Sequence, residues 1–141
     1  MNLKELFEKR LLRKIQPNLE KSMKSLETAH KFLKDAEKLN KIDGSQFIIL
    51  AAYTSMFHNA RALLYKDGIQ EKSHYAVYVY LKEKYSTELK DLLFEFNSLR
   101  DQRHEGLYGL EYSFSETDYT HAIKVAKAFQ EKIKLILEDT H

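Results

Sequence analysis

The chain has 141 residues, with 23 Lys and Arg against 21 Asp and Glu for a formal charge of +2. That balance is too even for a dedicated nucleic-acid binder and confines any RNA contact to a local patch. With no cysteine, disulfides, zinc-thiolate sites and thiol chemistry are excluded. One proline, four glycines and no Ser-, Gly- or Pro-rich linker predict long helices, short connections and a single helical domain over 1–141.

The first stretch, MNLKELFEKRLLRKI, alternates apolar and charged residues. It lacks the uninterrupted apolar run of a secretory signal, so a cytoplasmic protein with no membrane anchor is expected. Leu3 to about Ile15 reads as a short first helix, with Lys9, Arg10, Arg13 and Lys14 as its solvated basic face. Gln16-Pro17-Asn18 breaks it, because proline lacks an N–H and restricts the residue before it, yet is at home in the first turn of the next helix. That second helix carries Leu19, Met23, Leu26, Ala29, Leu33, Ala36 and Leu39 at three- and four-residue steps, one apolar face.

Asn40 to Gly44 reads as a turn, with Asp43 or Ser45 as the cap of the next helix. From Ser45 to Tyr65 the chain is apolar on almost every side, and Thr54, Ser55, His58, Asn59 and Arg61 are expected on one polar strip. A helix apolar nearly all round belongs in a core, so this segment is expected to be the central helix of the bundle. Gly68 supplies its stop, which predicts an antiparallel hairpin of the second and third helices.

Ser73 to Tyr85 is rich in β-branched and aromatic residues and could be a strand, but an isolated strand would have no partner. A helix is therefore expected. From about Thr87 a further helix carries Leu89, Leu92, Leu93, Phe96, Leu99 and Arg103 towards Gly106 and Gly109, which end or bend it. Leu110 to Phe114 reads as a loop. Ser115-Glu116-Thr117-Asp118 then opens a last helix whose apolar face is Ala122, Ile123, Ala126, Phe129, Ile133, Ile136 and Leu137. The fold class is all-α: an up-and-down antiparallel bundle of four main helices plus shorter ones.

The most polar part of the penultimate helix is LRDQRHEGLYG, from Leu99 to Gly109. Arg100 and His104 lie one turn apart, Arg103 flanks them and Tyr108 follows a turn later. A fixed cation, a group titrating near neutrality and a phenol on roughly one side suit phosphodiester chemistry. The same residues could instead complement the helix dipole or pair with Asp101 and Glu105. His58 and Arg61 are a second pair of candidates, either satisfied core groups or a strip facing the Arg100 to Tyr108 segment or a second subunit. His74 reads as a helix start. His30, His121 and His141 have no partner at metal-ligand spacing, and the glycines form no phosphate-cradling loop, so no metal and no cofactor are expected.

Together, AAYTSMFHNARALLYKDGIQEKSH and LRDQRHEGLYG resemble the small stand-alone prokaryotic HEPN-domain proteins (higher eukaryotes and prokaryotes nucleotide-binding), over about Leu12 to Leu137. The resemblance implies a helical bundle, usually a homodimer, often encoded beside a minimal nucleotidyltransferase. Several such proteins are metal-independent ribonucleases and toxins of toxin–antitoxin pairs, with an Arg and a His that have four to six residues between them forming a composite site at the dimer interface. Arg100 and His104, with three residues between them, match that pair best. Arg103, Tyr108, His58 and Arg61 would then bind substrate. In some pairs the nucleotidyltransferase antitoxin adds AMP to a tyrosine just beyond the histidine, and Tyr108 is the nearest such residue. Two functions follow: a dimeric ribonuclease acting on RNA, or a non-catalytic nucleotide- or substrate-binding partner of the nucleotidyltransferase.

Overall fold

A computed structural model describes residues 1–40, 47–108 and 114–139, the last three of the 47–108 stretch without their side chains. The elements run α1 (Leu3–Glu8), β1 (Leu12–Lys14), α2 (Leu19–Leu39), α3 (Phe47–Asp67), β2 (Ile69–Glu71), α4 (His74–Lys84), α5 (Ser86–Leu89), α6 (Asp91–Tyr108) and α7 (Glu116–Glu138). The protein is an all-α, up-and-down bundle of four long helices, α2, α3, α6 and α7, with shorter pieces at one end. The expected caps at Asp43 or Ser45, and most of the expected loop at Leu110 to Phe114, lie outside the described residues.

Helix α3 is the hub. It packs against α2, α4, α6, α7 and β2, and Ile48, Ile49, Ala52, Tyr53, Met56, Ala60, Leu63 and Leu64 are buried on different sides of it. Its partnership with α2 is built on small residues. Ser22 Oγ donates to the Ala62 carbonyl and Ser55 Oγ to the Ala29 carbonyl, each at 2.7 Å. As α2 advances from Ser22 to Ala29 its partners on α3 retreat from Ala62 to Ser55, so the pair is antiparallel.

Those contacts shift the buried face of α2 from the expected one. Ser22 and Ser25 are inside, whereas Leu19 and Met23 are more than half exposed. Close backbone approach selects small side chains, and a hydroxyl bonded to the neighbouring helix is satisfied there; hydropathy periodicity registers neither. Similarly, the polar residues of α3 do not form one strip. Thr54, His58 and Arg61 lie half-buried on one line, while Ser55 and Asn59 are wholly buried one position over.

The expected first helix stops at Glu8. Arg10 adopts a φ of +59°, and the chain straightens into β1, which pairs antiparallel with β2 in the register Leu12↔Glu71, Arg13↔Gln70, Lys14↔Ile69. Backbone bonds extend the ladder at both ends, from Ile15 N to Gly68 O at 2.8 Å and from Lys72 N to Leu11 O at 2.9 Å. The helical pattern of the N-terminus was overridden because the segment after α3 offers open backbone groups, and pairing them buries Leu12 and Ile69. Gly68 makes the junction. Its φ is +76°, and a Cβ there would stand 2.6 Å from the Ile15 carbonyl oxygen.

Ser73 caps α4, its hydroxyl accepting from Ala76 N at 3.0 Å, so this aromatic segment is helical as expected. The helix expected from Thr87 is broken at Lys90, whose φ is +49°, into α5 and α6. Tyr80 and Tyr85 both donate to Asp67 Oδ2, at 2.9 and 2.5 Å, which ties the end of α3 to α4. Helix α7 opens at Ser115 as expected, with a capping box: Ser115 Oγ accepts from Asp118 N, and Ser115 N donates to Asp118 Oδ2 at 2.8 Å. Its seven predicted core residues are all buried. No described helix is long and apolar enough to cross a membrane.

Candidate functional site

The candidate side chains come from α3, α4 and α6 and converge on an aromatic stack. Phe57 of α3 and His74 at the start of α4 lie nearly parallel, ring centroids 4.1 Å apart. Tyr53, one turn before Phe57, stacks on His74 at 5.7 Å and on Phe96 of α6 at 5.5 Å, and Phe96 continues the chain of rings to Phe129 of α7. Ring packing of this kind fixes orientations as well as burying area.

Three arginines surround the stack. Arg103 lies over the Tyr53 ring, Arg100 over the Tyr75 ring and Arg61 over the rings of Phe57 and Tyr65. Cation–aromatic contacts hold guanidinium planes in place without cancelling their charge. Arg61 is anchored further: its Nε lies 2.6 Å from Glu71 Oε1, and its Nη2 donates to Tyr65 Oη at 2.5 Å. Arg100 donates to Asn97 Oδ1 from Nε at 3.2 Å and from Nη2 at 3.0 Å, with Asp101 3.6 Å away. Asn97 precedes Arg100 by three residues on one helix, the spacing at which side chains meet.

Burial and this positive field act together on the imidazoles. His74 is held below its usual range first by burial and then by Arg103, Arg100, Arg61 and His58. His58, stacked on Phe32 at 5.6 Å, is lowered by burial and by Arg61. Both are neutral at pH 7. Burial pushes the Tyr53 phenol up, against the opposing pull of Arg103 and Arg100, so it stays protonated. Tyr53 Oη and His74 Nδ1 are 2.9 Å apart; with Tyr53 as donor, His74 carries its proton on Nε2.

Arg100, Arg103, Arg61 and His58 thus all lie close enough to His74 to act on its imidazole. His104 is exposed on α6. The side chain of Tyr108 lies outside the described residues. Two members were missed in sequence: His74, read only as a helix start, and Tyr53, read only as core. They are 21 positions apart on different helices, so no periodicity joins them, whereas the Asn97–Arg100 pair was open to a spacing argument. His30 and His121 serve elsewhere, with Gln130 Nε2 3.3 Å from His30 Nδ1 and Glu95 Oε2 3.0 Å from His121 Nε2.

The family model of the HEPN domain matches residues 22–136. The chain belongs to the HEPN-domain family. No curated protein matches it. The HEPN match contains every residue of the candidate site and begins beyond α1 and β1.

Proposed function

We propose that this HEPN-domain protein is a dimeric, metal-independent endoribonuclease, the toxin component of a pair with a minimal nucleotidyltransferase. The observation that carries the reading is the gathering of Arg61, Arg100 and Arg103 about His74 and Tyr53, a fixed positive field beside two neutral imidazoles. Such a field suits the extra negative charge of a pentacoordinate phosphate. In the proposed reaction His104 takes the proton of a ribose 2′-hydroxyl as its oxygen bonds to phosphorus. Arg100 and Arg103 hold the non-bridging oxygens, and the second protomer's His104, as its imidazolium, gives a proton to the departing 5′ oxygen. The products are a 2′,3′-cyclic phosphate and a 5′-hydroxyl.

Dimerisation would bring two such centres together. Phe94, 73% exposed on α6, and the exposed Tyr75 ring beside Arg100 offer apolar surface for a second copy to cover. Tyr108 is the residue on which a nucleotidyltransferase would place a neutralising AMP.

A second reading has a specific observation behind it. Arg100 is already tied to Asn97 and Asp101 within its own helix, which suits a binding module that helps the nucleotidyltransferase hold its nucleotide or substrate. Cleavage of a structured RNA in excess EDTA separates the two. Loss of at least about 100-fold in both Arg100→Ala and His104→Ala is expected for the ribonuclease. Cleavage undiminished in His104→Ala overturns the assignment of the site, and a folded protein without cleavage that co-purifies with a nucleotidyltransferase establishes the binding role.

A further inference from the structure

On the β1–β2 ribbon a cleft of about 480 Å³ is lined by Arg10, Arg13, Gln70, Glu71 and Lys72. Its three cations are solvent-exposed and enter no ion pair among the described residues. Its single acid, Glu71, is occupied: its side chain is 8% exposed, and Oε1 is held by Arg61 while Oε2 accepts from Gln70 Nε2 at 3.0 Å. The cleft is therefore strongly positive in a protein whose whole charge is only +2.

Strand pairing creates this patch. In a helix continuing to Ile15, Arg10 and Arg13 would lie far from Lys72; the left-handed turn at Arg10 and the pairing Arg13↔Gln70 place all three on one ribbon. The cleft also adjoins the candidate site, because Glu71 lines it and holds Arg61 of the α3 strip. Among the described residues no aromatic ring lines it, and these offer no platform for a base. Cations without a stacking surface recognise the phosphate backbone, irrespective of sequence.

We propose that this cleft binds the phosphodiester backbone of the RNA strand flanking the point of cleavage and leads it into the Arg61–His74–Arg100 centre. The proposal rests on the ribonuclease reading for the strand's destination but not for its binding.

The test is fluorescence anisotropy of a labelled 12-nucleotide RNA across a range of salt, with the intact chain carrying His104→Ala to prevent turnover. The Arg10→Ala/Arg13→Ala/Lys72→Ala variant is expected to bind at least about tenfold more weakly at low salt. Its slope of log affinity against log salt should be shallower by about 2, since each cation that neutralises a phosphate on a single strand contributes about 0.7 to that slope. A control removing equal charge on α2 and α7, Lys24→Ala/Lys31→Ala/Lys134→Ala, should bind within twofold of the parent. Binding unchanged in the first variant, or weakened equally in the control, overturns the proposal. Because the readout is binding, a protein that never cleaves RNA sinks the ribonuclease reading and leaves this one to stand or fall by its own result. If cleavage does occur, the first variant with His104 restored should lose rate on the long RNA and keep it on a dinucleotide.

Discussion

His74 joins stacking, hydrogen bonding and charge in one side chain. It packs against both Phe57 and Tyr53, is bonded to the Tyr53 hydroxyl and is placed in the field of three arginines. A histidine whose folded-state pKa lies below its ordinary value of 6.5 stays neutral in the fold while the unfolded chain takes up a proton. As pH falls below about 6.5 the unfolded state therefore binds more protons, and stability declines until the folded-state value is passed. His58 contributes with the same sign. In urea unfolding between pH 7.5 and 5, the wild type should lose stability on acidification, and His74→Gln should decline less steeply over that window. A steeper decline in the variant would mean that the imidazole is not held neutral by its surroundings.

Among the elements, the β1–β2 ribbon and the end of α3 depend on one another. Asn18 N bonds to Tyr65 O at 2.9 Å and Ile15 N to Gly68 O at 2.8 Å, so the chain before α2 is laced to the last turn of α3. Gly68 stands where these bonds converge, with positive φ and the Ile15 carbonyl too close for a side chain. Gly68→Ala should cost about 2 kcal/mol or more, combining left-handed strain with displacement of the ribbon, whereas a Gly→Ala change at a compatible site would stabilise. The midpoint of chemical unfolding reads this directly. A neutral result would show that the ribbon yields freely, and with it the geometry of the basic cleft.

For the molecule as a whole, the proposed activity requires two copies. Phe94 is the large apolar side chain most exposed among the described residues; it packs into no part of the protein's own core, and α6 also carries Arg100, Arg103 and His104. Phe94→Glu should convert a dimer to a monomer in light scattering at micromolar concentration while leaving thermal unfolding of the monomer nearly unchanged, because surface substitutions outside special features stay within about 0.5 kcal/mol. Dimerisation undisturbed by this change would move the interface away from α6.

The helical class, the central place of α3, the helical state of α4, the start and buried face of α7, and the family were all legible in the sequence. Each of these follows from local periodicity, capping chemistry or a contiguous motif, which a chain carries whatever its partners. It took the packed molecule to show that residues 12–14 form a strand, that α2 buries Ser22 and Ser25 in place of Leu19 and Met23, and that Lys90 divides α5 from α6. In the first two cases the governing interaction was with a distant segment: open backbone groups after α3 for the strand, and close approach of two helices for the serines. The site divides the same way. Of the side chains gathered near His74, Arg100, Arg103, His58 and Arg61 were legible as residue types at helical spacing. The partnership of His74 with Tyr53 was not, because only the packing of α4 on α3 brings an imidazole at the head of one helix onto a phenol in the middle of another.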